Sequence, residues 1–227
     1  MIEFLFLDLD DTILDFKKAE YIAIGKTISD FGVEPTDTVR HRYHVINKWH
    51  WEQLEQGNLT RAEVLENLFK VLFEELGVEV DATAVARAYE KNLSQGHWFL
   101  PGAEETVEYL SKHYRLFLAS NGTASVQKGR MTSANLYRFF ETVFVSQEIG
   151  HNKPSKDYFD ACFASIPGFD PQKALMVGDS LSSDIQGGIN AGIRTVWVNP
   201  NHQNCGAIQP DYEIEALHQL PALLETL

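Results

Sequence analysis

FLFLDLDDTILDF, residues 4–16, decides how this chain is read. Four apolar residues run straight into Asp8, with Asp10 and Asp11 close behind, and carboxylates gathered at the end of a buried strand repel one another. The stretch implies positive charge nearby. Similar runs recur downstream as RLFLAS (115–120), TVFVS (142–146), ALMVGD (174–179) and TVWVN (195–199). Their nearly continuous hydrophobicity is that of strands buried on both faces. Helical patterns at 103–113, 124–138, 155–165 and 182–191 are long enough to be crossovers in a parallel sheet. The expected fold is α/β, a doubly wound parallel sheet.

Between residues 15 and 97 the pattern changes. Apolar residues there recur at helical spacing through AEYIAIGKTISDFG, TVRHRYHVINKWHWEQLEQG, RAEVLENLFKVLFEELG and ATAVARAYEKNL, with no comparable β-run. Thr60 with Glu63 has capping-box spacing, and Gly32, Gly57 and Gly77 stand where helices should stop. The expectation is a four-helix insert over 15–97, with residues 1–14 and 98–227 forming the sheet domain and Pro101-Gly102 marking re-entry.

Composition narrows the function. The 227 residues are 44% hydrophobic, enough for a sizeable core. Nineteen basic against thirty-two acidic side chains give a formal charge of −13, which disfavours nucleic acid polymers and anionic membranes and leaves a small ligand or a metal as partner. No stretch approaches the roughly 20 apolar residues of a membrane span, and no basic segment precedes the first apolar run. The two cysteines, Cys162 and Cys205, lack CxxC spacing and read as reduced thiols. A cytoplasmic location is expected.

In parallel α/β sheets, ligands sit beyond the carboxyl ends of the strands. Here those ends carry Asp8 and Asp10, then Ser120 and Asn121, then Asp179 and Asp184 within GDSLSSD, while Lys153 follows the third strand in GHNKPSKDYF. Oxygen ligands at that density suit Mg²⁺, which takes a few carboxylates and keeps sites for water and phosphate oxygens. With the ion and Lys153 in place, the strand ends attract a phosphoryl group, which Ser120 and loop amides can hydrogen-bond.

DLDDT, Ser120-Asn121, Lys153-Pro154 and GDSLSSD stand in the order and spacing of four motifs of the haloacid dehalogenase-like hydrolases, so the chain resembles that family over its whole length. The resemblance implies a Rossmann-like core, with the insert as a helical cap, and is closest to cytosolic pyrimidine 5′-nucleotidase-like members. It implies Asp8 as nucleophile and Asp10 as general acid and base. It further implies Asp8, Asp179 and the Asp10 carbonyl as Mg²⁺ ligands, and Ser120, Asn121 and Lys153 as phosphate-binding residues. Thr12 would brace the first loop, and Asp184 would orient Lys153 or a metal-bound water.

Asp11 and Asp15 read as solvated or capping carboxylates, and Ser180, Ser182 and Ser183 as capping or loop hydroxyls. The histidines His41, His44, His50 and His97 assemble no ligand set. Within the insert, Tyr43, Trp49 and Trp51 are candidates for substrate contact, against the plainer role of packing the helices. The expected reaction is Mg²⁺-dependent hydrolysis of a small phosphorylated metabolite, a nucleoside 5′-monophosphate first of all. The alternatives are phosphoglycolate or a sugar phosphate as substrate, a phosphomutase, a dehalogenase, disfavoured by Asp10, and a noncatalytic binding protein.

Overall fold

The computed structural model describes residues 1–227, which divide into two compact units, Met1–Phe16 with His97–Leu227 and Lys17–Gly96. The first unit is built on six parallel strands: β1 (Phe4–Leu7), β2 (Arg115–Ser120), β3 (Thr142–Val145), β4 (Ala174–Gly178), β5 (Arg194–Val198) and β6 (Tyr212–Ile214). Their order is β3-β2-β1-β4-β5-β6, the arrangement of a Rossmann-like sheet. Leu7 pairs with Leu118 on one side and Val177 on the other, so β1 is central and its exit opens where the chain crosses from one half of the sheet to the other.

The alternation of side chains explains the unbroken apolar runs. Leu5 and Leu7 of β1 enter a core with Leu116, Leu118, Leu175, Val177 and the helix residues Val107, Leu110 and Met131. Phe4 and Phe6 enter the opposite core with Phe117, Phe144, Met176, Tyr158 and Phe159. Both faces are covered, and each fully buried Leu or Phe contributes about 1.5–3 kcal/mol. The sheet unit also holds α5 (Ala103–Ser111), α6 (Ala124–Ser133), α7 (Ser146–Ile149), α8 (Lys156–Ala164), α9 (Gln186–Ala191) and α10 (Leu220–Leu224).

Three local features depart from the sequence expectation. The helix expected over 124–138 stops at Ser133, because Asn135 adopts a left-handed conformation at φ 53° and the Leu136 N–H returns to the Met131 carbonyl in a Schellman-type stop. The helix expected over 182–191 begins with a π-turn, Leu181–Ile185, before α9. Strand β6 was not expected at all: it is a three-residue edge strand in a polar stretch and has no continuous apolar run to announce it.

The second unit contains α2 (Asp37–Glu55), α3 (Arg61–Glu75) and α4 (Ala82–Leu93), together with all but the first residue of α1 (Phe16–Asp30). Thr60 and Glu63 form the reciprocal capping box, and Gly32, Gly57 and Gly77 take the positive φ that follows a helix end. Its interior is lined by Ile46, Leu54, Val64, Leu68, Phe69, Leu72 and Val85. Nowhere in the chain is a helix long and apolar enough to cross a membrane.

Candidate active site

The first strand is extended beyond its ladder by one bond, from the Asp8 N–H to the Val177 carbonyl at 2.9 Å, which fixes Asp8 at the centre of the sheet's carboxyl edge. Lys153 lies against it, 1% exposed. Its ammonium donates to Asp8 Oδ1 at 2.7 Å, Asp184 Oδ1 at 2.6 Å and the Ala119 carbonyl at 2.6 Å, three acceptors for three N–H donors. Asn121 secures the lysine from behind. Its Oδ1 accepts from the Lys153 N–H and its Nδ2 donates to the Lys153 carbonyl, both at 2.8 Å. The carboxamide expected to bind phosphate thus ties the end of β2 to the lysine backbone.

The fourth strand's exit is shaped by the π-turn, a helix irregularity frequent at functional sites. Ser180 caps it, its Oγ accepting from the Ser183 N–H and its carbonyl receiving the N–H groups of both Asp184 and Ile185. Asp184 is bent back so that Oδ2 accepts from the Ser180 N–H at 3.0 Å. A Cβ on residue 178 would overlap that carboxylate, so glycine is required at the end of β4. Trp197 donates to the Asp179 carbonyl at 2.8 Å. Carboxylate oxygens of Asp8, Asp179 and Asp184 consequently lie within 4.8 Å of one another.

Burial raises the Asp8 carboxyl to about 8, with Asp184 and Asp10 adding to the shift and Lys153 opposing it. Burial acts to lower Lys153, but Asp184 and Asp8 outweigh it and hold the ammonium above its ordinary range. Asp8 and Asp184 thus share Lys153, with Asp179 beside them, while Asp10 pairs with Arg130. The excess negative charge and the clustered oxygen donors fit a hard divalent cation such as Mg²⁺.

Asp10 is held apart from that cluster. Arg130, fully buried on α6, pairs with its Oδ1, and Gln127 Nε2 donates to its Oδ2 at 2.7 Å. Gln127 Nε2 also donates to Ser120 Oγ at 2.8 Å. The sequence reading missed both α6 residues. Their one signal was the three-residue spacing, which puts them on the same helix face directly after Ser120-Asn121. Thr12, expected to brace the loop, is fully buried, yet its hydroxyl makes no hydrogen bond. Asp11 closes the turn instead: it takes a positive φ of 53°, and its Oδ1 accepts from the Phe16 N–H at 3.0 Å.

The three aromatic candidates of the insert separate. Tyr43 is fully buried, with ring centroids 5.8 Å from Phe69 and 5.4 Å from Tyr89, and so packs the helical unit as it stands. The expectation of substrate contact by Tyr43 is corrected by that burial: an aromatic at helical spacing on the apolar face goes to the core. Trp51 is partly covered, with the Arg61 guanidinium 5.3 Å from its ring. Trp49 is 52% exposed, its ring edge against His50.

A strand-end nucleophile candidate, a buried lysine and a clustered acid set on a Rossmann-like sheet define a hydrolase of the haloacid dehalogenase type, and the sequence agrees. The profile of the haloacid dehalogenase-like hydrolases matches residues 5–198, and the chain belongs to that family. It is 37% identical to HAD-hydrolase YfnB of Bacillus subtilis over 97% of this chain and 94% of the relative. It is 36% identical to pyrimidine 5′-nucleotidase PynA of Streptococcus pneumoniae over 96% and 93% of the two chains. With pyrimidine 5′-nucleotidase YjjG of Escherichia coli the identity is 29% over 98% and 97%. The crystal structure of magnesium-bound YfnB superposes with a TM-score of 0.93, covering 98% of each chain.

Proposed function

We propose that this enzyme is a Mg²⁺-dependent phosphomonoester hydrolase whose preferred substrates are nucleoside 5′-monophosphates, pyrimidine ones first. The observation that carries the reading is the convergence of Asp8, Lys153, and Asp179 with Asp184, from three separate segments, at one sheet edge. The nucleotide preference is supported by the similarity to two pyrimidine 5′-nucleotidases over nearly the full chain.

In this reading an Asp8 carboxylate oxygen attacks phosphorus, forming the P–O bond of an aspartyl phosphate while the bond to the substrate's ester oxygen breaks. Asp10 delivers a proton to that leaving oxygen, then takes one from the water that attacks phosphorus and displaces Asp8 as carboxylate. Lys153 and the Ser120 hydroxyl hold the phosphoryl oxygens. Lys153 has all three donors engaged, so it shares the hydrogen bond it now gives to Asp8 with the incoming phosphoryl group. Asp184 and Asn121 keep the lysine aimed.

The side chains of Asp8 and Asp179 with the Asp10 carbonyl would hold Mg²⁺, which supplies charge neutralisation for the transferring phosphoryl group. Asp184, already accepting from Lys153 and the Ser180 N–H, orients the lysine. Selection among phosphomonoesters falls to the inserted helical unit, with Trp49 as the exposed ring available to stack a base and Trp51 as its half-covered neighbour. The test is a screen of phosphorylated metabolites with Mg²⁺ and with chelator. Nucleoside monophosphates are expected to give the highest kcat/KM and chelator to abolish turnover; equal rates with chelator would remove the metal from the reading.

A further inference from the structure

Ser120 and Asp10 come from different strands, yet one side chain touches both. Gln127 has two N–H donors on Nε2, and the structure spends them on Asp10 Oδ2 and Ser120 Oγ. Its Oε1 accepts from Arg130 Nη1 at 3.3 Å, so the carboxamide's orientation is set by the guanidinium. Arg130 itself is fully buried, donates to Asp10 Oδ1 and has its guanidinium carbon 5.6 Å from the Phe16 ring centroid.

The hydroxyl of Ser120 is thereby polarised in one direction. A serine oxygen has two lone pairs and one proton. Both lone pairs are taken here, one by Gln127 Nε2 and one by the Gly122 N–H at 3.0 Å, so the proton is left to donate outward. Residue 122 must be glycine for this arrangement, since a Cβ there would overlap the Gln127 carboxamide. A buried arginine and a buried glutamine thus organise two groups assigned to the reaction.

We propose that Gln127 and Arg130 are positioning residues: Gln127 makes Ser120 an obligate hydrogen-bond donor to the phosphoryl group, and the pair holds Asp10 in place for proton transfer to the leaving oxygen. The inference rests on the phosphomonoesterase reading of Ser120 and Asp10. It assigns α6 a part in catalysis beyond covering the sheet.

The test uses the full chain with Mg²⁺, two substrates and one inhibitor. Phenyl phosphate needs its leaving oxygen protonated, p-nitrophenyl phosphate far less, and inorganic phosphate reports ground-state binding. Gln127→Met is expected to weaken inhibition by inorganic phosphate about tenfold, and no more than about twofold when Ser120 is already alanine. Arg130→Met is expected to lower kcat on phenyl phosphate about tenfold more than on p-nitrophenyl phosphate, with part of the loss restored by Arg130→Lys. Should Arg130→Met fail to fold, Arg130→Lys and Gln127→Met still decide the matter. Equal losses on both aryl phosphates, with additive effects of Gln127→Met and Ser120→Ala, would make the pair structural and overturn the inference. If Ser120→Ala and Asp10→Asn themselves leave both readouts unchanged, the phosphomonoesterase assignment of those residues fails, and this inference with it.

Discussion

The two units bury polar groups for different ends. In the helical unit the buried carboxylate Glu20 is satisfied by its near neighbours, accepting from Asn47 Nδ2 at 2.7 Å and facing His44 Nδ1 at 2.8 Å. Polar side chains of two helices of that unit satisfy one another there, and the result is packing. At the sheet edge, Lys153 is paired with Asp8, 145 residues away, and with Asp184, 31 residues away, and the acids outnumber the bases. Burial of that kind destabilises unless a ligand completes it. The contrast separates a stabilising polar network from a reactive one: the first closes on itself, while the second leaves charge to be balanced by a cation and a substrate.

Substitutions can break this contrast in order of size. Asp8→Asn should be the most damaging to turnover, by roughly 10³-fold or more, while leaving thermal stability equal or higher because one of the crowded charges is gone. Steady-state kinetics beside a melting curve checks both halves. Asp10→Asn should cost a factor of roughly 10²–10⁴ in kcat, most strongly on poor leaving groups. Asp179→Ala should raise the Mg²⁺ concentration needed for half-activation, so that added Mg²⁺ recovers part of the rate; a titration with unchanged midpoint would remove Asp179 from the metal site.

The helical unit should answer in the opposite currency. Tyr43→Ala removes a fully buried ring between Phe69 and Tyr89 and should lower the unfolding free energy by about 3–5 kcal/mol, read by denaturant titration. The smallest effect belongs to Trp49→Ala, which should change stability by less than about 0.5 kcal/mol and yet reduce the preference for nucleotides over p-nitrophenyl phosphate. Equal losses on both substrates would make Trp49 a packing residue and take away the ring assigned to the base.

Most of the sheet was legible because its strands are covered on both faces, so Phe4–Leu7 and Ala174–Gly178 read as unbroken apolar runs and their ends named Asp8 and Asp179. Where that covering fails the signal fails too, as at the short edge strand Tyr212–Ile214. Gln127 and Arg130 carry only their three-residue spacing as a signal: polar residues within a helix pattern read as its solvated face, and only the fold shows that they bond Asp10 and Ser120. The bonds of the Asn121 carboxamide to the Lys153 backbone and the unbonded hydroxyl of Thr12 are not legible in the sequence, because a strand-end position gives no account of which hydrogen bonds a side chain makes. Tyr43 shows the converse, a ring whose helical spacing on the apolar face placed it in the core.

The most direct test of the central claim is to trap the covalent step. Enzyme mixed with a phosphorus-labelled nucleoside monophosphate or p-nitrophenyl phosphate and Mg²⁺, then quenched in acid within the first turnover, should carry label on the protein that hydroxylamine removes, as it does from an acyl phosphate. Peptide mapping should place the label within residues 4–16, on Asp8, and Asp8→Asn should carry none. Rapid turnover with no protein-bound label, together with an active Asp8→Asn enzyme, would contradict the account.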